Sequence, residues 1–257
     1  MAQTNFFAGP GPEITVQRID FTKTPLPELN GLYAVVLDNV LSASECAEFV
    51  TAAEATSNGV WEQAQVNIGG NQQALITDIR DCGRIIWDDK EIAAKIWNRV
   101  KRSVPEIEFL KDVPYVTGWG PAKRKEIWKA VGLNERMRFL KYGAGQYFRP
   151  HCDGMYERPD RSERSYYTLH LYLNESDPNG PYGEMKGGAT SFHSDHDINI
   201  VYNVEPKIGR VLIFQHRGLL HSGEEVDEGT KLTLRTDIMY SRTGEEFEKP
   251  VLRRGCT

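Results

Sequence analysis

Cysteine is scarce in this chain. There are four in 257 residues (Cys46, Cys82, Cys152 and Cys256), and no two form a C-x-x-C pair. That spacing argues against a zinc knuckle or a thioredoxin-type site, and it fits free thiols in a reducing compartment. The N-terminus lacks a basic segment followed by an apolar one, and no apolar run reaches membrane-spanning length. The expectation is an intracellular, cytoplasmic protein with no membrane partner. Positive charge is not in excess either. The formal net charge is -5, and the basic clusters Lys123-Arg124-Lys125 and Arg253-Arg254 are short. They read as solvated faces, and nucleic acid is not an expected partner. No internal repeat or low-complexity tract is present.

With 40% hydrophobic residues, the chain can bury a sizeable core as one domain over 1–257. Residues 1–30 are rich in Pro, Gly, Thr and Asn and read as an extended arm, with one short strand around Ile14–Ile19. A helix-rich supporting part follows over 31–133. It opens with an apolar strand, Leu32–Leu37. Ser42-Ala43-Ser44-Glu45 is a capping-box pattern that opens a helix through about Glu54, with Phe49, Val50 and Ala53 buried. Residues 58–86 are mixed and read as extended. Asp88 or Asp89 can cap a second helix, Lys90–Val100, where Ile92, Ile96 and Val100 recur at i+4 beside Ala93 and Trp97. A short helix around Lys123–Ala130, ended by Gly132, completes this part.

From Arg136 the texture changes to strands. Arg136–Tyr142 is the first. Tyr166–Leu173 alternates, with Tyr167, Leu169, Leu171 and Leu173 on one face and Tyr166, Thr168, His170 and Tyr172 on the other. Further strands are expected at Ala189–His193, Ile198–Val204, Arg210–His216 and Lys231–Tyr240, separated by Pro- and Gly-bearing turns. Helices first and strands afterwards imply an α+β chain with a β-rich half over 134–244.

The chemistry concentrates in KYGAGQYFRPHCD, Lys141–Asp153. His151 and Asp153 are two apart, so on a strand they share a face and can reach one ion. His221 lies far downstream. Two imidazoles and one carboxylate, with coordination positions left open, are the donor set of non-haem Fe(II) oxygenases. A single H-x-D is weak evidence, because His193-Ser194-Asp195 repeats it in this same chain. The first pair is favoured by its place after an aromatic, Gly-bearing strand end. It is favoured too by Lys231 and Arg235, which follow His221 on one face of an alternating strand and suit a carboxylate.

Here the chain resembles a known family. The ordered series comprises Tyr142, Gly145, Phe148, His151 and Asp153; Leu171-Tyr172-Leu173-Asn174; Gly187-Gly188-Ala189-Thr190 and Phe192; Val204, Pro206, Gly209 and Phe214; and His221, Gly223, Val226, Gly229 and Lys231. It resembles the Fe(II)/2-oxoglutarate-dependent dioxygenases, specifically the prolyl 4-hydroxylase-like group. The resemblance covers roughly the C-terminal 40% of the chain, and the series is more specific than any motif in it. It implies a double-stranded β-helix, a jelly-roll or cupin-like barrel, buttressed by the N-terminal helices. It implies Fe(II) held by His151, Asp153 and His221, with 2-oxoglutarate and O2 as co-substrates and ascorbate a candidate reductant. Lys231 stands where the group carries its basic residue for the distal carboxylate. Arg235 has the same parity and is a rival, since a guanidinium holds a carboxylate bidentately. Tyr142, Thr168 and Tyr172 are further candidates for the co-substrate. The implied reaction hydroxylates an unactivated C–H, with succinate and CO2 as co-products.

Peptidyl or free proline is the first candidate substrate, with another amino acid or small metabolite as the alternative. A metal- and 2-oxoglutarate-binding sensor without turnover is the reading of another class. Oligomeric state is not legible. Elsewhere structural roles are expected: Trp87, Trp97, Trp119 and Trp128 in core or helix packing, His193, Asp195 and His196 in a solvent-facing turn, and His216 as a strand cap. His170 lines the pocket or is a satisfied interior histidine. Gly154–Ser165 is either solvated surface or a lid that leaves directly from Asp153.

Overall fold

A computed structural model of the chain describes residues 6–7, 11–69 and 72–243; Arg253, Arg254 and Cys256 lie outside them. Two antiparallel sheets face each other. The larger runs, in spatial order, Thr15–Arg18, Ala34–Asp38, Val211–Gln215, Glu163–Tyr172, Lys231–Thr243, Arg136–Tyr142, Gly83–Asp88 and Glu62–Gln63. The smaller runs Val201–Val204, Thr190–His193, His221–Gly223, Tyr147–His151 and Arg80–Asp81. This is the α+β, double-stranded β-helix arrangement, with the helices on the outer face of the larger sheet.

The two long helices form where their caps place them. Ser42 accepts from the Glu45 amide at 3.2 Å while Glu45 accepts from the Ser42 amide at 2.8 Å, and the helix runs Ala43–Thr56. Asp89, not Asp88, caps Lys90–Val100 by accepting from the Ile92 amide at 2.9 Å. Arg99 of the second helix donates to both Glu45 oxygens and to the Val40 carbonyl, which fixes one helix against the other. Their apolar stripes (Phe49 and Val50, Ile92 and Ile96) pack on Phe139, Leu171 and Leu234 of the sheet. A second core of Tyr172, Phe192, Leu212 and Phe214 fills the space between the sheets.

Three local expectations are corrected. Residues 123–130 are not a helix. The helix is Trp119–Lys123, and Ile127–Leu133 is a strand paired with Ile238–Thr243 on one side and Phe109–Lys111 on the other. Sheet pairing overrides the helix preference of Lys and Ala here. Trp119 is not core: it is 62% exposed, in edge contact with Tyr115 at 6.3 Å. Tyr166 does not share a face with Thr168. A bulge between Ser165 and Tyr167 turns its ring onto Trp128 and Tyr240 in the helix-side core.

Gly209 joins the strands that carry the site. Its carbonyl accepts from Val40 at 2.9 Å and its amide donates to Tyr172 at 3.0 Å. Its φ is +72°, and a Cβ there would sit 1.9 Å from the Leu41 carbonyl oxygen. Gly209→Ala should therefore cost about 3 kcal/mol or more of folding stability. Chemical denaturation measures it, and a loss under about 1 kcal/mol would contradict this account.

Candidate active site

The smaller sheet brings the two histidines together by register. Tyr147–His151 pairs with His221–Gly223, so His151 lies directly opposite His221, and their ring centroids are 4.3 Å apart. Asp153 follows two residues after that strand's His151. One donor atom each from His151, Asp153 and His221 lies within 4.8 Å of the others. The Asp153 carboxylate is 3.7 Å from His151 Nε2 and 3.8 Å from His221 Nε2.

Each imidazole is oriented by its other nitrogen. His151 Nδ1 is 2.8 Å from the Arg149 carbonyl oxygen, and His221 Nδ1 is 3.0 Å from that of Leu219. A carbonyl only accepts, so Nδ1 carries the hydrogen in both rings and the Nε2 lone pair faces the centre. Phe148 stacks on His151 at 3.6 Å between ring centroids, and Phe214 meets His221 edge-on. Burial, then the neighbouring His221, pushes His151 down to about 3; burial lowers His221 as well. Both rings are neutral at pH 7 and available as ligands.

Asp153 is gripped from behind. Arg235 Nη2 lies 3.0 Å from Asp153 Oδ1 and its Nε 3.3 Å from Oδ2, while Thr168 also donates to Oδ2. Burial would raise this carboxyl, but Arg235 foremost, with the two histidines, holds it well below the usual carboxylate range. Arg235 also pairs with Asp237 at 3.2 Å, and Arg138 and His216 flank that same carboxylate at 3.6 Å. His216 is thus no strand cap. It is buried in this charged cluster with neither ring nitrogen hydrogen-bonded among the described residues.

Lys231 has a different setting. It opens the long strand opposite Tyr142 and is 2% exposed. Its ammonium lies 5.5 Å from the Tyr142 ring centroid and 5.8 Å from that of Tyr172, and it makes no ion pair among the described residues. Burial depresses it to about 8. Asn174 fixes this strand start by donating to the Thr230 carbonyl and accepting from the Leu232 amide, both at 2.7 Å.

Tyr142, Thr168, His170, Lys231 and Arg235 line one pocket with the three metal-type ligands. Tyr172 stands behind this wall, with its hydroxyl donated to Thr190 at 2.7 Å. His170 Nε2 has no hydrogen-bond partner among the described residues, so it is not a satisfied interior histidine there. His193 is buried rather than solvent-facing, held by the Ile198 carbonyl and Ser222 Oγ at 2.7 Å each, whereas Asp195 and His196 are exposed. The base of 154–165 is closed by ion pairs of Arg158 with Glu135 and Glu163 and of Arg164 with Glu157. Met155 and Tyr156 are left exposed beside Asp153. Thr190 belonged to the motif series, whereas Arg80, Asp237 and Ser222 were not singled out by sequence pattern. Parity alone could have found Asp237, which continues the Lys231, Thr233, Arg235 series.

Comparison with known proteins agrees with this geometry. Residues 137–236 match the family described as the 2OG-Fe(II) oxygenase superfamily. No curated protein matches the chain. Among solved structures, a Pseudomonas putida prolyl-4-hydroxylase is similar at 16% identity and a TM-score of 0.52, over 86% of this chain and 99% of that one. A Trichoplax adhaerens prolyl hydroxylase, solved with a hypoxia inducible factor oxygen degradation domain peptide fragment, is similar at 16% identity and a TM-score of 0.52, over 86% of this chain and 88% of that one. These likenesses concern the fold. The matched segment contains all three members of the ligand cluster, and over residues 137–236 the chain is similar to the 2OG-Fe(II) oxygenase superfamily, oxidoreductases that use Fe(II), 2-oxoglutarate and O2.

Proposed function

We propose that His151, Asp153 and His221 hold the iron and that Lys231 anchors the distal carboxylate of 2-oxoglutarate. The substrate we propose is a prolyl group, peptidyl or free, hydroxylated at an unactivated C–H. One observation carries the site assignment: the three donor atoms converge within 4.8 Å in a pocket that Lys231 also lines. The donor set fits Fe(II). It offers two neutral imidazoles with lone pairs aimed inward and one carboxylate kept ionised, and it leaves coordination positions open. Fe(II) held there would supply the family's chemistry, oxidative decarboxylation of 2-oxoglutarate with O2 to succinate and CO2 together with hydroxylation of the substrate.

This chain's residues do the positioning. Arg149 and Leu219 carbonyls fix the imidazole planes, and Arg235 with Thr168 fixes the carboxylate. Arg235 is already engaged by two carboxylates, which favours Lys231 as the anchor. Leu140, Phe148 and Phe214 are apolar wall, and they keep water from the reacting centre. The prolyl substrate rests on the shared fold. A metabolite substrate is the alternative that an activity screen separates.

Anaerobic addition of Fe(II) and then 2-oxoglutarate should give a visible charge-transfer band. His221→Ala should lose the band, and His151→Ala and Asp153→Ala should abolish 2-oxoglutarate-dependent succinate release, each with the protein still folded by circular dichroism. Full turnover in either of the last two would refute the assignment. Lys231→Ala should weaken 2-oxoglutarate binding by about tenfold to a hundredfold while iron affinity holds. Arg235→Ala should instead weaken iron binding, because it releases Asp153; equal effects of the two variants on 2-oxoglutarate would reject the division of roles. Only the ammonium form of Lys231 attracts a carboxylate. With its pKa at about 8 in the free pocket, 2-oxoglutarate affinity should be level below that pH. It should then fall by up to about tenfold per pH unit above it, until the raised pKa of the complex is passed. A Kd independent of pH between 7 and roughly 9.5 would argue against Lys231.

A further inference from the structure

One cation in the pocket has no task in that scheme. Arg80 is 8% exposed, on the edge strand Arg80–Asp81 next to Phe148, and lines the same pocket as the metal ligands and Lys231. Its guanidinium carbon lies 4.5 Å from the Phe148 ring centroid, and its Nε lies 3.4 Å from Cys82 Sγ. The adjacent Asp81 offers no compensation, because its carboxylate is engaged by Gln63 and Gln146 at 2.8 and 3.0 Å. Arg80 therefore makes no ion pair among the described residues. A guanidinium buried without counter-charge is costly, and such a group in a ligand pocket is a place for an anion.

Tyr142 is the common neighbour that locates the anion. Tyr142 packs in one cluster with Phe148, over which the Arg80 guanidinium lies, and the Lys231 ammonium is 5.5 Å from the Tyr142 ring. The third pocket cation, Arg235, is already compensated by Asp153 and Asp237. We propose that Arg80 is a second anchor for the distal carboxylate of 2-oxoglutarate, acting together with Lys231. Lys231 supplies a point charge on a flexible stem, and Arg80 supplies planar N–H donors that fix the orientation of the carboxylate. This rests on the pocket being the 2-oxoglutarate site.

The test compares two ligands that differ only at the tail. 2-Oxoglutarate and 2-oxopentanoate share the metal-binding end and chain length, but the second ends in a methyl group. Equilibrium binding of each to the Fe(II)-loaded protein is measured anaerobically from the visible band, for the wild type, Arg80→Leu and Arg80→Lys. In the wild type, 2-oxoglutarate should bind more tightly than 2-oxopentanoate by well over about a hundredfold, as two charged donors imply. Arg80→Leu should reduce this preference about tenfold or more, and leave 2-oxopentanoate binding unchanged. Arg80→Lys, which retains charge and folds with the least disturbance, should restore part of the preference. An undiminished preference in Arg80→Leu overturns the proposal, and so does an equal loss for both ligands, which would mark Arg80 as support for the fold or the metal centre. If Arg80→Leu does not fold, a wild-type preference in Arg80→Lys overturns it, since fork geometry would then contribute nothing. Wild-type protein that binds neither acid refutes the pocket assignment itself and takes this proposal with it.

Discussion

The pairing of the strand Lys231–Thr243 constrains everything else in the molecule. It is hydrogen-bonded to Glu163–Tyr172 on one side and to Arg136–Tyr142 on the other, and its far half also pairs with Ile127–Leu133. Leu232 and Leu234 enter the helix-side core, while Lys231 and Arg235 enter the pocket. Because side chains alternate with period 2, a slip of one residue would bury both charges among Phe49 and Ile96 and send leucines to the site. The hydrophobic requirement of the core thus fixes the register, and the register fixes the chemistry. Asn174 prevents fraying at the one end where it would matter, by bonding the backbone on both sides of Lys231.

The second constraint is electrostatic. Asp153 must stay ionised in a place where burial opposes ionisation. Arg235 meets that requirement, and Asp237 in turn makes a buried Arg235 tolerable. The result is a rigid chain of charge running from the sheet into the ligand cluster, in a low-dielectric setting where each link would be costly to leave unpaired. The imidazoles need the opposite treatment. They must be neutral to bind a metal, and burial foremost does this, with backbone carbonyls setting the tautomer. One pocket thus holds an anion and two neutral rings in the protonation states that metal binding needs at pH 7.

Much of this was legible in the sequence, for identifiable reasons. The capping box at Ser42, the i+4 stripe of Lys90–Val100 and the alternation around Leu169 are local patterns, and each formed within a few residues of its expected bounds. The ordered motif series located the pocket, because several of its residues have separate structural duties. Gly209 approaches Leu41, and Gly187, with φ of +72°, lies so close to the Glu225 carbonyl that a Cβ would sit 2.3 Å from it. What stayed illegible depends on distant partners. Ile127–Leu133 is a strand only because the end of the long strand lies beside it. His193 is buried only because Ser222 and Ile198 close over it. Trp119, a large apolar residue, carries no local sign that its face is left open. Arg80 sits in the mixed, extended stretch 58–86 with no local pattern to mark it, and the pairing of Arg80 with Phe148 turns it inward.

Arg80 and Lys231 share a property that separates them from every charge in the Arg138–Arg235–Asp237 cluster: among the described residues neither has a counter-ion. A fold selected for stability alone would replace two such residues with leucine or methionine, since isolated buried cations oppose folding. On the proposed assignment the missing charge arrives with a ligand. A dicarboxylate whose near end is taken by a metal has its far carboxylate free to supply it. Ligand binding then recovers the electrostatic cost that the empty pocket bears, and the protein gains stability in proportion to co-substrate concentration. The same logic accounts for the depressed pKa of Lys231. Burial without a partner pushes the ammonium toward neutrality, and a bound carboxylate would push it back. On the proposed assignment, selectivity for a diacid over a simple 2-oxo acid would follow from leaving these cations unsatisfied, because only the diacid relieves them.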